Sequence, residues 1–198
     1  MLLSWDDIVR LLDDQFGPTG DDLTEFRLRR RATSDELDEL EASIGRALPT
    51  AFKAVVRQYD FGGLRIGSST QFGRSGNYES WIRKVNEAGF NTWWGSGDRP
   101  QDHIVVAVSD PHTVLLNLNT AEIRAYDSSE RWQDSEVVAP DFALYVRALA
   151  TAFFERMTSR DTDQVVDELM GTLGISSGRK YWTELAQREP PPITSGPG

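Results

Sequence analysis

Two histidines, His103 and His112, are the only imidazoles in this chain of 198 residues, and cysteine is absent. Imidazoles, thiolates and carboxylates are the groups that hold metals or move protons near neutral pH, so this inventory bounds the chemistry. Without cysteine there is no disulfide and no cysteine-built zinc site. Neither histidine sits in a helical metal spacing such as H-E-x-x-H. Ser109, Asp110 and His112 share one short turn, whereas a catalytic triad is assembled from separate elements. That segment reads as a hairpin turn. Gly174-Ile-Ser-Ser-Gly178-Arg-Lys180 has the wrong spacing for a phosphate loop and no strand before it, so it should close one helix and open the next. Gly73-Arg-Ser-Gly76 is a loop signal without a cofactor context. Asp6-Asp7 and Asp13-Asp14 lie beside an apolar helical stripe and read as its solvated side, not as acid/base partners. The expectation is a protein with no catalytic residue, cofactor or metal.

Three other clusters could bind rather than react. Arg27, Arg29, Arg30 and Arg31 form a basic cluster, flanked by Asp21, Asp22, Glu25, Asp35 and Glu36 that should pair with it. Trp93-Trp94 falls in a glycine-rich loop, where large apolar side chains are out of place. Asp127, Glu130, Asp134 and Glu136 surround Trp132 in a second loop. Aromatic anchors ringed by polar and charged groups are what protein interfaces use. Tryptophans in loops also fold back as lids on a core. The candidate partner-binding set is therefore Trp93, Trp94, Asp127, Glu130, Trp132, Asp134 and Glu136.

Charge narrows the partner. The formal net charge is −10, from 21 basic and 31 acidic residues. It is unevenly spread: residues 101–150 hold three basic and eight acidic side chains, while residues 61–100 hold five and three. Such a balance repels phosphate, so direct nucleic-acid binding is not expected, and a basic protein is the better partner. Met1 to Trp5 runs into Asp6-Asp7 without the basic start and apolar run of a signal peptide, and the longest aliphatic run, Ile104 to Val108, is far too short to span a bilayer. A cytoplasmic protein without membrane contact is expected.

The elements that must position these clusters follow from periodicity. Trp5, Ile8, Val9, Leu12 and Phe16 make one helical face, closed by Gly17-Pro18. Phe26 to Arg29 alternates like a short strand or connector. Thr33 to Glu36 reads as a capping box for a helix bearing Leu37, Leu40 and Ile44. Leu48-Pro49 breaks that helix, with Pro49 suited to the first turn of the next, and Phe52, Val55, Val56 and Tyr59 form its face. Gly62-Gly63 turns the chain away. Leu64–Ile66 and Thr70–Phe72 read as short strands, followed by a helix over Tyr78–Ala88. Ile104–Val108, Thr113–Leu118, Ile123–Tyr126 and Glu136–Val138 read as further strands. Pro140 opens a helix with Phe142, Tyr145, Val146, Leu149, Ala150 and Phe153 on one face. Asp163–Leu173 and a last turn or two around Tyr181, Trp182 and Leu185 complete the helices. Glu189 to Gly198 reads as a flexible tail.

The order of Ala32-Thr33-x-x-Glu36-Leu37-x-x-Leu40-Glu41-x-x-Ile44-Gly45, then Leu48-Pro49, then a helix ending in Tyr59 and Gly62-Gly63, resembles the SUKH superfamily. Ile104 to Ala107, Thr113 to Leu118, Ala121 to Tyr126 and Val138-Ala-Pro-Asp-Phe142-x-x-Tyr145 fit the strands and closing helix of that pattern. The likeness spans about residues 3–155. Asp60-Phe61-Gly62-Gly63 departs from the family's more usual Asn-Gly turn, and residues from about 157 run beyond its core. The resemblance implies an α+β fold, with a mainly antiparallel or mixed sheet flanked by N-terminal helices and a C-terminal helix. The expected organisation is a domain over 1–156, a helical extension packed on it over 157–188, and a tail over 189–198. The resemblance further implies an immunity protein that binds and neutralises a cognate toxin domain, including basic nuclease domains, without turnover. The alternative is a non-catalytic regulatory scaffold that binds a cellular protein.

Overall fold

The helical stripe at the start of the chain becomes α1 (Trp5–Phe16) in the computed structural model, which describes residues 1–17, 25–31, 36–67, 70–73, 76–90, 94, 99–158 and 160–187. Its buried side is Ile8, Leu12 and Phe16. Ser4 caps it reciprocally: the Ser4 hydroxyl accepts from the Asp7 amide, and the Asp7 carboxylate accepts from the Ser4 amide. The capping box expected at Thr33–Glu36 rests on Thr33, which lies outside the described residues.

The helix break ahead of the sheet has a local cause. α2 (Glu36–Ile44) and α3 (Thr50–Gln58) are joined across Leu48-Pro49, and one carboxylate spans the break. Glu41 on α2 accepts from the Leu48 amide at 2.6 Å and from Lys53 Nζ on α3 at 2.8 Å. The Lys53 ammonium and the Leu48 N–H hold Glu41 below the usual carboxylate range. Pro49 takes the N-cap position itself, one residue before the expected first turn.

After α3 the chain forms β2 (Tyr59–Asp60), which pairs antiparallel with β1 (Arg29–Arg30). β1 falls slightly later than the Phe26–Arg29 segment expected to be extended. Gly62 then passes so close to Gly76 that a Cβ would lie 1.8 Å from the Gly76 carbonyl oxygen, and Gly63 takes φ +79°. Glycine is required at both positions.

The main sheet is a six-stranded antiparallel meander in chain order: β3 (Arg65–Ile66), β4 (Thr70–Gln71), β5 (His103–Ser109), β6 (His112–Asn117), β7 (Ile123–Asp127) and β8 (Glu136–Ala139). α4 (Tyr78–Val85) is inserted between β4 and β5 and stops three residues short of the expected end. Asn86 ends it. The Asn86 side chain donates to the Ile82 and Val105 carbonyls and accepts from the Val105 amide at 2.8 Å, tying the helix end to β5. A bulge between Val105 and Ala107 puts both Val106 and Ala107 on the larger core, and the buried Tyr78 hydroxyl donates to the Val106 carbonyl at 2.7 Å.

That larger core lies between the sheet and the helices. α5 (Phe142–Glu155) runs through its centre with nine buried residues, including Ala148, Thr151 and Ala152 beyond the expected stripe. A helix buried on most sides carries an apolar surface wider than one stripe. Phe142 meets Phe52 at 4.9 Å and Phe61 at 5.3 Å, both edge-on. α6 (Thr162–Leu173) ends at Gly174 in the left-handed conformation, and α7 (Arg179–Gln187) is a full nine-residue helix. Trp182 of α7 is completely buried and donates to the Val138 carbonyl at 3.1 Å. The Tyr145 and Tyr181 hydroxyls meet at 2.7 Å. The residues after 157 thus share the core of the preceding chain. The fold is α+β, with two antiparallel sheets and seven helices among the described residues. No helix among them is long and apolar enough to cross a membrane.

Candidate protein interaction surface

The opposite face of the sheet carries a smaller cluster among the described residues. A small cluster of Val85, Trp94, Val105, Leu115 and Tyr126 lies there, with Trp81, Phe90 and Trp132 packed against it. Val105, Leu115 and Tyr126 come from three neighbouring strands and point away from the larger core, as strand alternation requires.

Trp132 sits on this cluster at the end of the β7–β8 connection. Residues 132–134 form one 3-10 turn, and the half-buried indole lies 5.6 Å from the His103 ring. The connection is built by local hydrogen bonds. Asp127 Oδ1 accepts from the Ser129 amide at 2.9 Å and the Ser129 hydroxyl at 2.8 Å. Those bonds hold the Asp127 carboxyl below its ordinary range. The Ser128 amide donates to the Pro111 carbonyl, and the Thr113 and Ser128 hydroxyls are 2.9 Å apart, so the turn is anchored to β6. Arg124 donates to the Ser135 hydroxyl at 2.9 Å and closes the far side.

Of the expected partner-binding residues, Asp127, Glu130, Trp132, Asp134 and Glu136 are thus brought onto one connection. Glu130, Asp134 and Glu136 are exposed, and Asp127 and Trp132 are half-buried. Asp134 is already matched, since Arg131 donates to both of its oxygens at 3.1 Å. Trp94 is different. It is only 3% exposed, donates from Nε1 to the Val85 carbonyl, and has the Arg99 guanidinium 4.9 Å over its ring. The side chain expected as a surface anchor is a lid on the sheet, because a large indole gains more from covering Val105 and Leu115 than from water. Trp93 lies outside the described residues.

Both histidines serve packing and hydrogen bonding. His103 Nδ1 is 2.8 Å from Asp102 and its Nε2 is 3.2 Å from the Asn117 amide nitrogen. His112 is buried, with Nε2 3.4 Å from Glu184 and the Tyr181 ring edge-on at 5.2 Å. Among the described residues no group of three or more His, Asp or Glu is placed to hold a metal ion.

The arginine cluster is dispersed by the fold. Arg27 pairs with Asp13 at 2.8 Å and Arg30 with Asp6 at 2.6 Å, both on α1. Arg31 makes a bidentate pair with Glu79 of α4, at 2.5 and 3.0 Å, and reaches Asp60 at 3.3 Å. These partners are not the sequence neighbours expected. Glu25 instead pairs with Arg65, and Asp21, Asp22 and Asp35 lie outside the described residues. The β1–β2 pairing sets this strand beside α1 and α4, a relation that sequence proximity does not carry. The Asn86 bridge was also unforeseen; its only sequence signal is an asparagine three residues before Gly89. No family model matches the chain, and no curated protein matches it.

Proposed function

We propose that this chain is an immunity-type binding protein of the SUKH kind. It captures a basic toxin domain on the β7–β8 connection and blocks it without turnover. The observation that carries the reading is Trp132: a half-buried indole on a connection that also bears Asp127, Glu130, Asp134 and Glu136. A rigid aromatic at the centre of a polar rim is the anatomy of a binding hot spot. Asp134 is engaged by Arg131 and Asp127 Oδ1 by Ser129, while Glu130 and Glu136 are exposed to meet a cationic partner. The carboxylates would take the place of substrate phosphates in a nuclease cleft. The net charge of −10 would steer association with such a partner.

The test is growth of a host expressing the product of the neighbouring gene, with and without this protein. Rescue is expected. Asp127→Lys, Glu130→Lys and Asp134→Lys together should slow association by about tenfold or more at low salt and flatten its salt dependence. Rescue with association untouched by the triple change would move the interface elsewhere. A toxic neighbour left unrelieved would sink the immunity reading and leave a scaffold for a cellular protein.

A further inference from the structure

His103 opens β5 opposite Asn117 of β6, with the Trp132 ring 5.6 Å away. Its side chain is 8% exposed, and both ring nitrogens are engaged. The partners decide which nitrogen carries the proton. Asn117 Oδ1 accepts from the Asn119 amide at 2.8 Å and the Thr120 amide at 3.1 Å, which fixes the way round the side-chain amide stands. The Asn117 NH2 group therefore faces His103, 3.2 Å from Nε2, and donates to it. Nε2 must supply a lone pair. On the other side, Asp102 Oδ1 lies 2.8 Å from Nδ1. The His103 hydrogen bond, with a smaller contribution from the Arg46 charge, holds Asp102 below the ordinary carboxylate range, so it is ionised near neutral pH and can only accept. The imidazole is therefore the neutral tautomer with its hydrogen on Nδ1.

This arrangement has no place for a second proton. A hydrogen on Nε2 would point at the Asn117 NH2 group, donor against donor. Asn117 cannot turn its oxygen inward without giving up both backbone bonds. Asp102 is tied at its other oxygen by Asn119, which accepts from Arg46 at 2.7 Å. Among the described residues, the charged side chains that line a cleft with His103 are Arg46, Arg83, Arg99 and Glu87. Beside Trp132, Arg131 and Asp134 engage each other. The softest neighbour is the half-buried Trp132 indole, carried on a connection rather than on a strand.

We propose that His103 is a proton-sensitive seat for Trp132. Neutral, the imidazole is pinned between Asp102 and Asn117 and fixes the floor beside the indole. When it takes a proton at Nε2 it parts from Asn117 and displaces the indole. The capture surface is thereby set at neutral pH and loosened on mild acidification, the range in which an imidazole changes charge. This effect on capture rests on reading the β7–β8 connection as the partner site; the seat itself does not.

Nuclear magnetic resonance on the free protein tests the seat. Long-range proton–nitrogen spectra at neutral pH should show His103, assigned by its loss in His103→Gln, with the hydrogen on Nδ1 and the lone pair on Nε2. On titration from pH of about 8 to about 5, the Trp132 indole N–H signal, assigned by its loss in Trp132→Phe, should move along the same curve as the His103 ring. Asn117→Asp turns the group facing Nε2 into an acceptor and keeps an oxygen for the Asn119 and Thr120 amides. It should raise the His103 midpoint by about one pH unit or more and hold the Trp132 signal still through it. A hydrogen on Nε2 at neutral pH, or an indole signal that stays flat while wild-type His103 titrates, would overturn the proposal. With the captured toxin in hand, binding at pH of about 5.5 should be about tenfold weaker than at about 7.5 in wild type, and the same at both in Asn117→Asp. A moving indole without any pH effect on binding would overturn the claim on capture. A moving indole with no toxin neutralised would sink the immunity reading alone.

Discussion

The two faces of the six-stranded sheet are built on different scales. One is sealed by α1, α3, α5, α6 and α7 through dozens of buried side chains, with Trp182, Tyr145 and Phe142 at 1% exposure or less. Among the described residues, the other is covered by five buried side chains and three partly buried ones. The first face holds the chain together. The second is a smaller cluster whose rim leaves Trp132 half-buried. The difference teaches where to look: Trp182 on the thick side is structural, while on the thin side Trp94 is a lid and Trp132 stays half-buried.

The contrast breaks most sharply at the tryptophans. Trp182→Ala on the thick side removes a completely buried indole and leaves the Val138 carbonyl without its donor. The expected loss is about 3–5 kcal/mol, read by urea unfolding. A loss under about 1 kcal/mol would show that α7 is dispensable to the core.

Alkaline titration sharpens the same comparison. Burial pushes the Tyr126 phenol, on the thin side, up to about 12, and holds Tyr78 and Tyr145, on the thick side, well above their ordinary value. A raised phenol favours the protonated form in the fold. The stabilisation is therefore complete below pH of about 10, the unfolded value, and drains away as pH rises toward and past about 12. For Tyr126 alone this is worth on the order of 2–3 kcal/mol. Ultraviolet difference spectra should show the Tyr78 and Tyr145 phenolates only as the chain unfolds. Their smooth appearance from pH of about 10 in a folded chain would contradict the burial.

The smallest effect on stability is expected at Trp132. If the proposed interface is right, Trp132→Ala should cost about 1 kcal/mol or less of stability while abolishing capture of the proposed partner, measured by unfolding and by binding on the same sample. A stability loss as large as that of Trp182→Ala would make Trp132 a second lid.

Much of this was readable in the chain, and the exceptions have one cause. Helices and strands declared by periodicity, such as Trp5–Phe16 and Ile123–Asp127, appear at nearly the expected bounds, because their buried sides are set by local spacing. What periodicity cannot supply is the identity of distant partners. Arg31 finds Glu79 forty-eight positions away, and Asn86 finds Val105 across the loop before β5. The Trp94 side chain reads as a surface anchor only if the strands beneath it are ignored. In the site, the β7–β8 carboxylates were legible because they are close in sequence. The burial of Trp94 was not, since Val105 and Leu115 beneath it lie on strands distant in sequence.

The contact of α7 with β8 has a consequence for self-association. A strand at the border of a sheet exposes unpaired backbone groups that invite another chain to add itself, the first step of aggregation. Here the Ser177 hydroxyl and the Trp182 indole donate to the Val137 and Val138 carbonyls of β8, and Gly178 passes so close that a Cβ would lie 2.9 Å from the Val137 oxygen. The other border, β3, is two residues long. One margin of the meander is occupied and the other is too brief to serve as a template. Neither margin of the meander is left as a free template for fibre growth.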